Sequence, residues 1–274
     1  MPELPEVETV RTTLAPLIGS RIAAAWDSGK GLHMGRKPPR KKLAALVGAT
    51  FTAARRHGKY LLLDTDRSQS LLVHLGMTGR CLIVPAAAPR AKHTHLVLGL
   101  GKTELRFVDA RRFGQIDVVE RTREREHEAL AVLGPDPLVE GIDAERLFTC
   151  SRKKRVTLKA FVLDQSVIAG VGNIYASEAL WRAGLRPSKR AKRLTSAAAK
   201  TLAAAIAEVF EIALSNHGTS LRDFVNADGV EGENADYLWV YGREGKPCPR
   251  CKTKIRRAVH QGRATYYCQT CQPP

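Results

Sequence analysis

TFTAARRHGKYLLLDTD (residues 50–66) begins a series of four short apolar runs that decide the fold of the first half of the chain. The runs that follow it are SLLVHLGMTGRCLIV (70–84), THLVLGL (94–100) and TELRFVDARRFGQIDVVE (103–120). Each is rich in branched residues and is bounded by Gly, Pro or Asp, which is the pattern of short antiparallel strands. We therefore predict an antiparallel β-sandwich or barrel.

Helices flank this series on both sides. Residues 5–18 repeat apolar side chains at helical spacing, whereas the basic stretch 36–42 (RKPPRKK) is typical of an exposed loop. Gly and Pro punctuate LGPDPLVEG at 133–141, which indicates a linker. Beyond it the pattern is helical, with two shorter helices between about 145 and 190. A longer amphipathic helix follows, with a face formed by Leu202, Ile206, Val209, Phe210 and Ala213.

The balance of charge indicates an anionic partner. The chain has 274 residues and carries 44 Lys and Arg against 27 Asp and Glu, a formal net charge of +17. Such a charge favours nucleic acid or an anionic membrane. The N-terminus is acidic and broken by proline, unlike a signal peptide, and no apolar stretch approaches the roughly 18 residues of a membrane span. We expect a cytoplasmic, nucleoid-associated protein that binds nucleic acid.

Four of the six cysteines form two C-x2-C pairs with sixteen residues between them: Cys248, Cys251, Cys268 and Cys271. Two such pairs surround one tetrahedral metal, and four thiolates leave no position for a reactive water. The pattern predicts one structural Zn²⁺ per chain. Disulfides or a redox pair are the alternative, but nothing in the sequence indicates export. Cys81 and Cys150 are isolated and are expected as ordinary core or half-buried thiols.

The first eight residues, MPELPEVE, carry the sharpest chemical signal. Removal of Met1 exposes the secondary amine of Pro2, with Glu3 beside it. Such an amine forms an iminium ion with a masked aldehyde, while the adjacent acid donates or shuttles a proton. The alternative is structural, with Pro5 and the acids after it starting a helix. That alternative gives no reason for Pro2-Glu3.

Three further segments suit nucleic acid. The glycine turn 169–172 opens a helix at Asn173, where backbone N–H groups can bind phosphate, although a plain connection between helices is equally compatible. Basic runs at 152–155 and 186–193 favour phosphate, as does a strand–turn–strand pattern with three arginines between the cysteine pairs. Two glycine-bounded turns, HLGMTG and DARRFG, contain a Met, an Arg and a Phe that could enter a base stack. Ordinary core packing is the alternative for the Met.

These motifs together resemble one known family. PELPEVE, RRHGKYLLL, HLGMTG, DARRFG, GVGNIYASEAL, VYGREGKPC and the four-cysteine ribbon are similar, in this order over residues 2–271, to bacterial formamidopyrimidine-DNA glycosylase. The resemblance implies an α+β chain with an N-terminal antiparallel β-sandwich and flanking helices. A helix–two-turn–helix domain and a four-cysteine zinc ribbon follow it. We place the sandwich at 1–133, a linker at 134–145, the helical domain at 146–235 and the ribbon at 236–274.

The resemblance also implies an activity. Such enzymes excise oxidised purines from double-stranded DNA, chiefly 8-oxoguanine opposite cytosine and formamidopyrimidines, and then nick the abasic site by β,δ-elimination. It makes Pro2 the nucleophile and Glu3 the proton donor to the deoxyribose ring oxygen. Lys59 and Arg263 are counted with the catalytic group, and the resemblance implies that they contact phosphates around the lesion. One copy suffices for this task, so we expect a monomer.

Seven further residues are assigned to DNA by the resemblance. The residues that contact phosphates near the lesion are His74, Asn173 and Tyr241. The residue that lies near the damaged base or its flanking phosphates is Lys159. The residues that fill the space of the extruded base are Met77, Arg111 and Phe113. The segment 218–238 resembles the loop that covers the flipped base, and its residue roles are not assigned.

Two rival interpretations remain open. An endonuclease VIII-like enzyme uses the same chemistry on oxidised pyrimidines, but its relatives tend to begin PEGPE and lack DARRFG in this form. A non-catalytic DNA-binding protein explains the charge and the zinc. It does not explain Pro2-Glu3 together with Lys59.

Overall fold

The computed structural model describes residues 1–221 and 224–274, and these form two compact units. The first unit comprises Met1–Ala131 and Asn216–Ala235, and the second comprises Val132–Ser215 and Asp236–Pro274. A segment that follows the long helix of the second unit therefore belongs to the first.

Among its described residues, the first unit combines three α-helices with eight strands. Its helices are α1 (Leu4–Thr13), α2 (Arg40–Ala45) and α3 (Glu128–Ala131). Its strands are β1 (Ala24–Asp27), β2 (Phe51–His57), β3 (Tyr60–Thr65), β4 (Gln69–His74), β5 (Arg80–Pro85), β6 (Thr94–Gly99), β7 (Thr103–Val108) and β8 (Gln115–Glu120).

The strands form two antiparallel four-stranded sheets, which confirms the predicted sandwich. One sheet has the order β1-β6-β7-β5 and the other has the order β2-β3-β4-β8. A single core joins them, since Leu61 and Val73 of one sheet lie in the same buried cluster as Leu98 and Phe107 of the other. Burial of this apolar surface is the main term that stabilises the unit.

Helix α1 lies against this core and positions the N-terminus. Val7, Val10, Leu14 and Leu17 are all buried, as their spacing predicts. The α-helix covers only Leu4–Thr13, however, and a 3₁₀ turn at Ala15–Leu17 replaces the rest of the expected 5–18 helix. Pro16 lies in this turn and has no N–H to continue the α-helical hydrogen bonds.

The second unit is mainly helical and ends in a hairpin. Its elements are α4 (Ala144–Arg152), α5 (Leu158–Val162), α6 (Asn173–Arg182), α7 (Ser196–Ser215), β9 (Arg256–His260) and β10 (Arg263–Tyr267). Three helices thus precede α7 where the sequence predicted two, because a break at 153–157 separates α4 from α5. The apolar face predicted for α7 is buried. Gln261 and Gly262 both have positive φ, 49° and 72°, which suits the two-residue turn between β9 and β10.

Three other expectations meet the structure differently. The predicted loop 36–42 is mostly exposed, but its last three residues begin α2. The four-part domain division stays a prediction, although residues 216–235 pack with the first unit rather than with the helices. Positions 222–223 of the predicted covering loop 218–238 lie outside the described residues.

None of the helices in the described part of the chain combines the length and apolar composition that crossing a membrane requires.

Candidate functional site

The N-terminal turn is buried and held by hydrogen bonds. Pro2 is buried, Glu3 is 2% exposed, and Met1 before them is 48% exposed. Glu3 donates its backbone N–H to Glu6 Oε2 at 2.7 Å, and the other oxygen of Glu6 accepts the Thr219 N–H at 2.8 Å. The Glu6 carboxylate therefore joins the Pro2-Glu3 turn to the returning segment 216–235. A hydrogen bond with a charged partner is stronger than a neutral one, so this is a firm link.

Glycine is required where that segment meets Glu6. Gly218 has a φ of +84°, and a Cβ there would lie 3.2 Å from both Cγ and Oε1 of Glu6. A larger residue would be strained in this left-handed conformation and would press on the carboxylate.

Lys59 lies in the two-residue turn between β2 and β3. Arg56 supports this turn, since its Nη1 donates to the Gly58 carbonyl at 3.0 Å while its Nε donates to Glu8 at 2.9 Å. Glu8 belongs to α1, and the Arg56 side chain is only 2% exposed. The helix that starts at the Pro2-Glu3 turn is thus tied to the turn that carries Lys59.

His74 lies next to this turn, at the end of β4. Its register partner is Tyr60, and the two rings are in tilted contact with centroids 4.7 Å apart. The Gly76 N–H donates to Nδ1 at 3.1 Å, so Nδ1 carries no proton and Nε2 carries it. Burial, together with the positive charges of Lys59 and His33, lowers the pKa of His74 to about 4. His74 is therefore a neutral donor through Nε2.

Asp109 fastens the two glycine-bounded turns to each other. Its carboxylate accepts hydrogen bonds from Thr78 Oγ1 at 2.5 Å, from the Gly114 N–H at 2.7 Å and from the Arg111 N–H at 3.2 Å. The residue is fully buried. A Cβ at Gly76 would overlap the backbone of Phe113, so only glycine allows this approach.

The side chains predicted to fill the space of the extruded base, here called the wedge, emerge together from these turns; they are Met77, Arg111 and Phe113. Met77 is 37% exposed and Phe113 is 44% exposed, which is unusual for large apolar residues. The Arg111 guanidinium lies 4.7 Å from the centre of the Phe113 ring. The structure thus presents one cation and two apolar groups on a rigid base.

The predicted DNA contacts of the second unit converge on the zinc-ribbon hairpin. Asn173 Nδ2 donates to the Ala264 carbonyl at 3.0 Å and lies 3.4 Å from the Tyr241 hydroxyl. Lys159 is 1% exposed, and its Nζ donates to the same carbonyl at 3.0 Å and to Ser177 at 2.9 Å. Lys159 therefore supports the residue next to Arg263, and its predicted contact with DNA stays a prediction. Arg263 itself is exposed.

Glu178 fixes the segment that carries Tyr241. This buried carboxylate accepts the backbone N–H groups of Trp239, Val240 and Tyr241 at 2.7, 3.0 and 2.7 Å. It positions the tyrosine although it lies 63 residues away in sequence.

The four predicted zinc ligands are clustered. The Sγ atoms of Cys248, Cys251, Cys268 and Cys271 all lie within 4.8 Å of one another. Two pairs are separated by 3.8 and 3.4 Å, and a tetrahedron with Zn–S bonds of about 2.3 Å places its sulfurs about 3.8 Å apart. The donor set fits a structural Zn²⁺, which would hold the β9–β10 hairpin in place.

The predicted site residues therefore fall into two groups, one in each unit. The sequence argument missed the charged residues that hold these groups: Glu6, Arg56, Asp109 and Glu178. A signal existed for Glu6, because the spacing Glu3-x-x-Glu6 is typical of a reciprocal cap at a helix start. The others act across distant segments and have no local signature.

The antiparallel sandwich, the helices around the glycine turn and the four-cysteine ribbon define the helix–two-turn–helix class of DNA-repair proteins. Family models agree over most of the chain: the N-terminal domain of formamidopyrimidine-DNA glycosylase matches residues 1–116, its H2TH domain matches 133–225, and the zinc finger found in FPG and IleRS matches 245–274. The formamidopyrimidine-DNA glycosylase of Jannaschia sp. (strain CCS1) is 42% identical over 288 residues, covering 99% of this chain and all of that protein.

Solved structures agree with the sequence relatives. A point mutant of the Lactococcus lactis FPG in complex with Fapy-dG-containing DNA is similar with a TM-score of 0.92 and 31% identity, over 100% of both chains. The Lactococcus lactis Fpg bound to abasic-site DNA gives 0.91 and 32%, over 99% of this chain and 100% of that one. The chain belongs to the formamidopyrimidine-DNA glycosylase family.

Proposed function

We propose that this protein removes oxidised purines from double-stranded DNA and then cuts the strand at the abasic site, as a monomer in the cytoplasm. Membership of the glycosylase family supports the activity. The observation that carries the assignment of chemistry is the Pro2-Glu3 turn, which is buried and held in one geometry by Glu6. The bond between Glu3 and Glu6 is also the reciprocal cap that starts α1, so the part of this arrangement that a helix start does not explain is the burial of Pro2.

Recognition begins with extrusion of the damaged nucleotide. Its reactive atoms are inaccessible in the duplex, and flipping costs a few kcal/mol. Met77, Arg111 and Phe113 enter the vacated stack and offset part of this cost. Their exposure and the shared anchor at Asp109 support this role.

Phosphate contacts come from both units. Neutral His74 donates from Nε2, and Lys59 supplies a charge beside it. In the second unit, Asn173 and Tyr241 place their donors together, and a phosphate oxygen can replace the long contact of 3.4 Å between them. Arg263 projects from the hairpin that the zinc site holds.

The chemistry requires Pro2 to be the first residue. Once Met1 is removed, the Pro2 nitrogen attacks C1′ of the deoxyribose, and the base departs with the electrons of the glycosidic bond and takes up the proton that the amine loses. Glu3 protonates the ring oxygen as the sugar opens, which leaves an iminium ion between C1′ and Pro2. The iminium acidifies C2′, so loss of that proton expels the 3′ phosphate, and δ-elimination expels the 5′ phosphate. The four thiolates around the zinc serve the fold and take no part in these steps.

Borohydride trapping tests this proposal. The processed protein is mixed with duplexes that carry 8-oxoguanine opposite cytosine or an oxidised pyrimidine, and borohydride reduces any iminium to a stable adduct. We expect a rapid adduct on the purine lesion. The matched control keeps Met1 through an N-terminal extension, which leaves Pro2 as an amide, and it should form no adduct.

Two other outcomes contradict the proposal. An adduct on the pyrimidine alone moves the protein to the endonuclease VIII-like branch. Binding of either duplex without any adduct assigns the chain to the non-catalytic alternative.

A further inference from the structure

We infer that the basic runs 152–155 and 186–193 form one surface of the second unit that binds the phosphate backbone of duplex DNA. This surface is separate from the residues proposed above to contact the DNA around the lesion. The inference rests on the proposed function, since it names a further part of the same partner. The two runs contain nine cationic residues and no acidic one.

Hydrogen bonds join the runs into one surface. Arg190 Nη1 donates to the Arg155 carbonyl at 2.9 Å, and the Ala191 N–H donates to the Val156 carbonyl, also at 2.9 Å. Arg152 reaches the Leu194 carbonyl at 2.6 Å. Residues more than thirty positions apart in sequence therefore present their charges side by side.

The surface contains a concavity whose lining has no acidic side chain. A cavity of about 470 Å³ is lined by Arg186, Ser188, Lys189, Arg190, Arg193 and Pro274. Four of these six residues are cationic. Such a lining fits a phosphate oxygen and repels a cation.

The charges of this surface are largely unbalanced. Lys154 pairs with Asp164 at 2.8 Å. Within the described parts of the chain, no carboxylate lies within ion-pair distance of Lys189, Lys192 or Arg193. Solvated surfaces usually intersperse the two signs, and like charges within a Debye length of about 10 Å repel each other. An anionic polymer that releases counterions removes this cost.

The surface is continuous with the phosphate contacts already proposed. The Lys159 N–H donates to the Pro187 carbonyl at 3.0 Å, while its Nζ binds the Ala264 carbonyl beside Arg263. Arg186 lies 4.5 Å from the ring centre of Tyr267 in β10. A duplex held at the hairpin can therefore continue along the basic runs.

The test compares two triple variants with equal loss of charge. The surface variant is Lys189→Gln, Lys192→Gln and Arg193→Gln, which leaves Arg190 to hold the backbone of Arg155. The control variant is Lys41→Gln, Lys92→Gln and Lys102→Gln, three exposed cations of the first unit. Affinity for undamaged duplexes of about 12 and about 30 base pairs, roughly 40 and 100 Å long, is measured from low to high salt.

A longer duplex offers more binding sites, and this alone raises its apparent affinity. The unmodified protein and the control should bind the longer duplex more tightly than this increase in the number of sites predicts. The surface variant should lose this gain. Its plot of log affinity against log salt should flatten by about one for each lost contact. Equal behaviour of both variants, or no gain with length in the unmodified protein, overturns the inference. Excision of 8-oxoguanine is assayed in parallel, so failure of the proposed function appears as lost excision in all three proteins.

Discussion

The first unit and the second unit build their parts of the candidate site in different ways. In the first, Pro2 and Glu3 are consecutive residues at the start of a helix, and a short segment of chain supplies the proposed chemistry. In the second, Asn173, Tyr241 and Ala264 come from three distant segments that meet through hydrogen bonds. Chemistry is thus encoded locally, whereas the DNA contacts depend on folding of the whole unit.

Both units nevertheless hold their functional segments by the same kind of interaction. A buried carboxylate accepts backbone N–H groups of the segment that carries a functional side chain: Glu6 at the N-terminal turn, Asp109 at the wedge turns, and Glu178 beside Tyr241. Such groups are costly to bury unless they are satisfied, so each carboxylate favours one backbone conformation over others.

Glu3→Gln should show the largest difference between the chemistry of the first unit and the binding of DNA. The substitution keeps the size of the side chain and removes its acidic proton, so excision of 8-oxoguanine should fall by about 10²- to 10⁴-fold. Affinity for lesion DNA should stay within about threefold, because a few tenths of a kcal/mol are at stake in binding. Single-turnover excision and a gel-shift titration measure the two. Full excision by this variant rejects Glu3 as the proton donor.

Cys248→Ser should produce the opposite result. Loss of a thiolate weakens the zinc site, whose binding energy is folding energy for such ribbons. Cys248 shares a buried cluster with Trp181 and Val240, and the rings of Trp181 and Trp239 are in tilted contact with centroids 5.3 Å apart. DNA affinity should fall on the order of 100-fold, about 2.7 kcal/mol, and tryptophan fluorescence should change.

The isolated thiol provides the control for this experiment. Cys150→Ser should keep one zinc per chain and normal affinity. Unchanged DNA binding after loss of zinc from Cys248→Ser contradicts the role of the ribbon.

Asp109→Ala tests whether a buried carboxylate holds the wedge turns, and its expected effect is smaller. It leaves the buried Gly114 N–H without its acceptor, at a cost of about 1–3 kcal/mol, and it releases Thr78. Excision should fall about tenfold because the wedge is no longer held, and a fluorescent base beside the lesion reports its insertion. Asp109→Asn keeps one acceptor oxygen and should lose less. Normal wedge insertion by Asp109→Ala shows that the turns hold themselves.

The same contrast explains what the sequence could predict. Strand periodicity, the cysteine spacing and the Pro2-Glu3 pair are local patterns, and the sandwich and the cysteine cluster were predicted from them. The association of residues 216–235 with the first unit could not be predicted, because it depends on a contact between Glu6 and Thr219 across 213 positions. Burial of Lys159 was missed for the same reason, since a lysine is usually exposed unless distant acceptors surround it.

His74→Gln tests a single group of the first unit through the pH dependence of stability. The pKa of His74 in the folded protein is about 4, below the ordinary value of 6.5, because burial and nearby cations disfavour the charged ring. The unfolded chain therefore binds the proton more readily between these values. The stabilising contribution of His74 should be present above pH 6.5 and should be lost as the pH falls to about 4, by roughly 3 kcal/mol. Urea unfolding of both proteins from pH 8 to pH 4 measures this as a difference, so that other titrating groups cancel. The free energy of unfolding of the unmodified protein should therefore fall relative to that of His74→Gln toward low pH, whereas a constant difference shows that the pKa of His74 is the same in the folded and unfolded chain.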